Sequence, residues 1–421
     1  MKAVILAAGQ GVRLRPLTDK KPKHLIPIAG KPVLEHLIRN LATNGISDIL
    51  LIVSKTDDSI RKHFCDGTNL GVRLSYALQP GVLGTAHAVG IARDFMGKES
   101  FVAMYGDIYV HSDAVKRVVD GYKEEGSDAS MALVPVSAPQ FFGIATVEQG
   151  YVKSLVEKPS AEALCGNLAN AGIFTFSPSI FNAIERTAES ERGEFEITQS
   201  IRLLIESGVK VKAVELELGT WKDIGRPWDL LEANELALRE IKPRVPGEIE
   251  DGSWFTGPIV VEEGAHIRSG SYINGPVYVC AGAEIGPNCY IRPFTSVGRN
   301  VRIGNGCEVK NSIVMDDTKI PHLSYVGDSI IGERCNLGAG TVVANLRFDN
   351  EPVKMMISGN LVSSGRRKLG AILGDDVQTG INVSIMPGVK IGSNSLIGPS
   401  MTVTRDVPPN SQVLRQDPHI M

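Results

Sequence analysis

From Val261 the chain returns an apolar residue at every sixth position: Val261, Ile267, Ile273, Val279, Ile285, Ile291, Val297, Ile303 and Val309. Tyr325, Ile331, Leu337 and Val343 resume the step after one break, and Ile385, Ile391, Ile397 and Val403 after a second. Glycine often follows the apolar residue, as at Gly286, Gly304, Gly332 and Gly392. A six-residue period with glycine at a corner specifies a β-solenoid, with one short strand and one turn per step. Nine consecutive steps leave little room for coincidence. The charged, out-of-phase segment Asn345–Lys368 reads as a loop extruded from the coil.

The first 240 residues have a different texture. Ala3–Ala8, Ile49–Val53, Phe101–Tyr105 and Ala129–Val136 read as strands, and Pro32–Asn44, Ile197–Gly208 and Pro227–Ile241 show the three- and four-residue spacing of helices. Alternating strands and helices imply a largely parallel sheet covered on both faces. A chain of 421 residues exceeds the usual size of one core, and the run Lys242-Pro243-Arg244-Val245-Pro246-Gly247 marks the change. The expected organisation is a domain over 1–240, a linker over 241–256, the solenoid over 257–410 and a tail over 411–421.

A net charge of −3 gives no sign of a nucleic-acid or anionic-membrane surface. The apolar run Ala3–Ala8 is too short for a signal-peptide core or a membrane span, so the expected location is the cytoplasm. The six cysteines form no C-x-x-C pair and have no histidine at zinc spacing; they read as buried free thiols.

Gly9-Gln10-Gly11-Val12-Arg13 follows the first strand. Leu14 stands where a dinucleotide fingerprint needs a third glycine, and no Gly-Lys-Ser/Thr follows as a P-loop requires. What remains is a glycine-rich turn with Arg13, Arg15, Lys20, Lys21 and Lys23 close behind, a cation density suited to a triphosphate that sheds pyrophosphate. A solvated surface loop has the same composition.

The order of further pieces narrows the reading. Leu6-Ala7-Ala8-Gly9-x-Gly11-x-Arg13-Leu14-x-Pro16 and Lys21-Pro22-Lys23 are followed by Gln79, Gly84-Thr85, Gly106-Asp107, Phe142-Gly143, Glu157-Lys158-Pro159, Asn170-Ala171-Gly172 and Trp221-x-Asp223. This series resembles the sugar-1-phosphate nucleotidylyltransferases. The resemblance implies that Arg13 and Lys23 act on the triphosphate and departing pyrophosphate. Ala8, Gly9, Gly11, Gln79 and Gly84 would bind the nucleotide, and Thr85, Gly143, Glu157 and Asn170 the sugar. Asp107 and Asp223 would hold Mg²⁺, a hard ion suited to carboxylates.

In the solenoid, Ile320-Pro321-His322-Leu323-Ser324-Tyr325-Val326-Gly327-Asp328 precedes Asn336-Leu337-Gly338-Ala339-Gly340-Thr341, with Arg292-Pro293 and Lys310 upstream and Asn345 downstream. This resembles the acetyltransferase site of the bifunctional N-acetylglucosamine-1-phosphate uridylyltransferase/glucosamine-1-phosphate acetyltransferase family, in its archaeal form. By resemblance His322 is the base that takes the amine proton. Arg292 and Lys310 would grip the sugar phosphate, Tyr325 and Asn336 would orient the amino sugar, and Ala339, Pro399 and Arg415 would contact acetyl-CoA. Leu346 departs from the tyrosine of the bacterial form.

The implied fold is α/β: a Rossmann-like nucleotidyltransferase domain with a mixed, mostly parallel sheet, then a left-handed parallel β-helix. The implied enzyme acetylates glucosamine 1-phosphate with acetyl-CoA, then couples the product to UTP, and works as a homotrimer built through the β-helix. Two other readings use the same modules: a hexose-1-phosphate nucleotidylyltransferase whose solenoid serves assembly, and a non-catalytic regulatory subunit.

Overall fold

The structure, a computed structural model, describes residues 1–160, 162 and 165–414. Contacts divide the chain into two compact units that are not contiguous in sequence: Met1–Gln10 with Val33–Asp223, and Gly11–Pro32 with Ile224–Met421. Among the described residues no helix is long and apolar enough to cross a membrane.

The first unit is built on a nine-stranded sheet. Its parallel half runs in the order Arg73–Gln79, Asp48–Ser54, Lys2–Ala7 and Phe101–Tyr105. Leu168–Phe176 then enters antiparallel to Phe101–Tyr105, and Ala129–Pro135, Val211–Glu215, Tyr151–Glu157 and Gly143–Glu148 complete a mixed half. The first strand is nearly continuous in apolar residues because neighbours flank it on both edges and its interior side chains are buried. Helix Val33–Thr43 buries Val33, Leu34, Leu37, Ile38 and Leu41, the stripe anticipated from spacing.

In the second unit, strands of two or three residues stack into parallel sheets of nine, eight and seven among the described residues, forming the left-handed parallel β-helix. Three six-residue steps make one coil: Val261 pairs with Val279, and Val279 with Val297. Every residue of the first nine-member series lies in one core cluster. The first coil opens inside the stretch read as a linker: Arg244 bridges in parallel to Val260, and Glu248–Ile249 pairs with His266–Ile267.

One residue of the series departs from expectation. Tyr325 faces outward and Val326 takes the inward place, paired with Val309 and Val343. The reason is a shortened corner, since Val309 to Val314 and Val326 to Ile331 each advance five residues instead of six. The extruded segment is present as anticipated. It carries the antiparallel hairpin Lys354–Ile357 and Asn360–Ser363, and the coil resumes at Ile372–Leu373.

The cysteines are free thiols. Cys280, Cys289, Cys307 and Cys335 are buried in the β-helix, whereas Cys65 and Cys165 are exposed, contrary to the expectation of burial. Cys65 closes the short helix Ser59–Phe64 at the surface, one residue past the buried Phe64.

The inward column predicts its own stability test. Ile303→Ala should cost about 3 kcal/mol in guanidinium unfolding of the β-helix, the usual cost of emptying a packed aliphatic site. Arg302→Ala, outward on the same two-residue strand, should change stability by less than about 0.5 kcal/mol.

Candidate functional site

In the first unit the candidate sugar residues assemble around a side chain the sequence reading passed over, Tyr105. This tyrosine ends the strand Phe101–Tyr105. Opposite it, the pairing between Leu168–Phe176 and Ala129–Pro135 slips between Asn170 and Phe174. Asn170 Oδ1 accepts from Gly172 N–H at 2.9 Å, and Gly172 adopts φ +74°. A Cβ at Gly172 would lie 2.4 Å from the Tyr105 ring, so Asn-Ala-Gly forms a bulge that only glycine permits at its third position. Asn170 Nδ2 then donates to the Tyr105 hydroxyl at 3.2 Å, which also bonds Thr85. Thr85 Oγ1 accepts from Ile197 N–H at 2.9 Å.

Gly143 and Glu157 face each other across an antiparallel pair. A Cβ at Gly143 would sit 2.9 Å from Glu157 Oε2 and 3.8 Å from Asn170 Cβ. Thr85, Gly143, Glu157 and Asn170 are thereby neighbours through this network, as the motif order implied. Glu157 lies 3.3 Å from Arg192, which also pairs with Glu196. Burial, then the Glu196 charge, pushes the Glu157 carboxyl above the usual carboxylate range despite Lys158 and Arg192. Burial and the nearby Glu157 charge likewise raise Tyr105, keeping its phenol neutral and able to donate.

The nucleotide candidates of this unit adjoin the same strands. Gln79 ends Arg73–Gln79, and its amide donates to the Gly84 carbonyl at 3.1 Å. Gly84, at φ +91°, opens helix Thr85–Ile91, and a Cβ there would meet the Phe195 carbonyl at 2.4 Å. Ala8 and Gly9 follow the first strand, whose Leu6 carbonyl accepts from Gly106 N–H at 2.9 Å. Asp107 follows directly. Trp221–Asp223 pairs antiparallel with Ile108–Val110, setting Asp223 opposite Ile108, one residue from Asp107. Trp221 secures that strand by donating to the Ala171 carbonyl at 2.8 Å. The pairing brings the backbones of two acids more than a hundred positions apart in sequence within a residue of each other, and carboxylates suit Mg²⁺, which is bound by one or two of them plus substrate phosphates. Among the described residues no group of three or more His, Cys, Asp or Glu side chains forms an all-protein metal cage.

Gly11, Arg13 and Lys23 lie in the second unit. Gly11 adopts φ +67°, its carbonyl accepting from Leu14 N–H at 2.9 Å and Thr18 Oγ1 at 2.8 Å. Arg13 is exposed, and Lys23 begins a single 3₁₀ turn, Lys23–Leu25. The other cations of the segment are engaged elsewhere. Arg15 lies 3.7 Å from Asp19, Lys20 bonds Asp376 and Asn394 at 2.7 Å each, and Lys21 pairs with Glu333 and with Asp375.

Two columns of stacked corners carry the acetyl-transfer candidates. In one, the Gly340 N–H donates to the His322 carbonyl at 3.3 Å, Asn382 N–H to Ala339 O at 2.8 Å, and Ser400 N–H, beside Pro399, to Ile381 O at 2.8 Å. His322, Ala339 and Pro399 therefore share a column, with His322 exposed and Asn336 outward on the preceding strand. Arg415 lies outside the described residues.

The second column contains Arg292, Lys310, Asp328 and Asn345. Here the five-residue corners bring Asn311 over Asp328, and the buried Asp328 carboxylate accepts from Lys310 Nζ at 2.9 Å, Asn311 Nδ2 at 2.9 Å and Asn345 Nδ2 at 2.5 Å. Tyr325 accepts from Asn345 at 3.1 Å, and burial raises its phenol pKa. Arg292 pairs with Glu308 at 2.8 Å and lies over the Tyr290 ring at 5.5 Å. Asp328 was visible in the motif, but nothing in its spacing revealed that it anchors three side chains.

The profile of the family described as Nucleotidyl transferase matches residues 2–240, more than half of the chain. The chain belongs to that family. A GMPPB C-terminal domain profile matches 273–386, and the bacterial transferase hexapeptide repeat matches 370–405. Over its length the chain is 50% identical to the Bifunctional protein GlmU of Methanococcus maripaludis, covering 99% of this chain and 98% of that one. It is 45% identical to the protein of the same name from Methanocaldococcus jannaschii, at the same coverages. It is 42% identical to a bifunctional sugar-1-phosphate nucleotidylyltransferase/acetyltransferase of Sulfurisphaera tokodaii, covering 97% of this chain and 98% of that one. A solved structure from Bacillus anthracis, assigned as a glucose-1-phosphate thymidylyltransferase, matches at TM-score 0.53 and 31% identity over 57% of this chain and 96% of that one. The chain is a GlmU-like bifunctional enzyme with a nucleotidyltransferase domain and a hexapeptide acetyltransferase domain.

The elevated Glu157 pKa makes a pH prediction for this GlmU-like enzyme. A carboxyl with a raised folded-state pKa favours folding while protonated and loses that contribution as pH climbs through the raised value. Glu157→Gln should therefore raise the thermal midpoint at pH 7 and flatten its fall with rising pH, both measurable on one preparation by calorimetry.

Proposed function

We propose that the β-helix acetylates glucosamine 1-phosphate with acetyl-CoA and that the N-terminal machinery joins the product to UTP, giving UDP-N-acetylglucosamine and pyrophosphate. The amine nitrogen attacks the thioester carbonyl while His322 accepts the amine proton, and CoA leaves as the thiol. Arg292 and Lys310 hold the acceptor phosphate, and Tyr325 and Asn336 orient the amino sugar. The acids Glu308 and Asp328 keep the two cations extended before substrate arrives. Ala339, Pro399 and Arg415 are assigned to acetyl-CoA.

In the second reaction an oxygen of the sugar phosphate attacks the α-phosphorus in line, and the α–β phosphoanhydride bond breaks. Arg13 and Lys23 hold the triphosphate and the departing pyrophosphate. Ala8, Gly9, Gly11, Gln79 and Gly84 are assigned to the nucleotide, and Thr85, Gly143, Glu157 and Asn170 to the sugar. Asp107 and Asp223 would hold Mg²⁺, which when bound neutralises phosphate charge as the leaving group forms. The register setting Asp223 opposite Ile108, beside Asp107, carries this half of the reading.

The two corner columns support a trimer. Within one copy His322 and the Lys310–Asp328 corner lie at opposite ends of the three-residue strand Tyr325–Gly327, so we assign the complete acetyl-transfer site to seams between copies. A cytoplasmic location accords with these substrates. The GMPPB C-terminal profile over 273–386 favours one second reading, a nucleotidylyltransferase whose β-helix serves assembly alone.

His322→Ala separates the two. Free CoA from acetyl-CoA and glucosamine 1-phosphate should fall by about two orders of magnitude or more, the scale of a lost general base. Pyrophosphate release from UTP and N-acetylglucosamine 1-phosphate should persist. Undiminished CoA release removes His322 from the chemistry.

A further inference from the structure

We infer that Glu333, Asp375 and Asp376 of the β-helix are positioning residues for nucleotidyl transfer, acting through Lys20 and Lys21 on the cations that bind the triphosphate. The inference rests on the reading of Arg13 and Lys23 as those cations.

The segment Gly11–Pro32 is a strap fastened to the β-helix at two places. At its far end the Ala29 N–H donates at 2.8 Å to Oδ1 of Asn234, on the helix Pro227–Arg239 that links it to the β-helix. Fully buried Asn234 also accepts from Ser296 Oγ at 2.6 Å and donates to the Phe294 carbonyl at 2.9 Å. Gly30 packs so tightly there that a Cβ would fall 2.4 Å from the Tyr278 ring. At the middle, Lys21, with a side chain only 11% exposed, enters between Glu333 and the 3%-exposed Asp375. Lys20 reaches Asp376 and Asn394 one residue earlier. Arg334 grips Asp376 through two bonds, at 2.8 and 3.0 Å, so the acids are themselves held.

The fastening bears on Lys23 because little slack separates them. Pro22, with its fixed φ, joins Lys21 to Lys23. The 3₁₀ turn that follows is closed by Leu25 N–H to Pro22 O at 3.0 Å and Ile26 N–H to Lys23 O at 3.1 Å. The turn bearing Arg13 abuts the same residue: a Cβ on Gly11 would lie 3.1 Å from Lys23 Cβ. Moving the Lys21 ammonium therefore moves Lys23 and crowds the Gly11 turn. Burial would raise the Glu333 pKa, but Lys21 and Arg334 outweigh it and hold the carboxyl below its ordinary range. The acids contact neither reaction's reacting atoms in this reading, and they lie more than three hundred positions from the lysines they hold.

The test uses the full-length enzyme with Glu333→Gln, Glu333→Gln/Asp376→Asn, Lys21→Met and Lys21→Arg, scored for pyrophosphate and for CoA on the same preparation. The KM for UTP should rise about fivefold in the first three, within the range by which residues remote from a ligand modulate its binding. Lys21→Arg should recover most of the loss, and CoA release should stay at the parent rate. An unchanged KM for UTP in the acid variants overturns the inference, and so does parallel loss of both activities, the mark of a generally loosened β-helix. Lys23→Ala in the same assay keeps the two readings apart. If it raises KM for UTP while Glu333→Gln does not, the positioning role falls and the triphosphate reading stands; if Lys23→Ala has no effect, the parent reading falls.

Discussion

Aliphatic side chains stacked along the β-helix axis fix the position of nearly everything else in its unit. Each coil presents its inward residues to the coil before and after, so burying Ile285, Ile303 and Ile331 also sets the height of every corner. Corners stack because cores stack. A residue's chemistry then follows from its phase: His322, Ala339 and Pro399 share one column, while Arg292, Lys310, Asp328 and Asn345 share another. Where a corner loses one residue, at 309–314 and 326–331, the column tightens enough for Asn311 to reach Asp328.

A second regularity concerns charge. The cations assigned to the acceptor phosphate are already paired, Arg292 with Glu308 and Lys310 with Asp328. A lone ammonium in such a site would be mobile and costly to desolvate, whereas one held by a carboxylate arrives oriented. The anionic substrate then competes with a resident acid, which weakens binding in exchange for geometry. In the first unit the same logic appears with opposite sign, Arg192 lying between Glu157 and Glu196.

Much of this was legible in the residues. The six-residue period yielded the β-helix and its core, and the motif order anticipated the cluster of Thr85, Gly143, Glu157 and Asn170. Periodicity failed at Tyr325 because a five-residue corner shifts the phase by one position, to the apolar Val326 next to it. Tyr105 was passed over because a strand-final tyrosine resembles core until the Asn170 bulge brings an amide to its hydroxyl. Lys20 and Lys21 counted toward a cation density suited to a triphosphate because a sequence displays charge without its partners, and their partners lie beyond residue 330. A boundary near residue 240 follows from texture alone; contacts group Gly11–Pro32 with the β-helix instead, an association that no linear reading can display.

That association has a consequence for the birth of the molecule. The strap leaves the ribosome well ahead of its anchor, for Asn394, the last residue to which Lys20 bonds, follows that lysine by 374 positions. At about 5–20 residues per second, roughly 20–75 s pass before the acceptor for that lysine exists. Throughout that time Leu14, Leu17, Ile26 and Ile28, all destined for burial, remain without their finished surroundings. Vectorial synthesis thus delivers the opening strands long before their intervening segment can be seated, and a nascent chain of this design depends on chaperones or on patience at its N-terminal end.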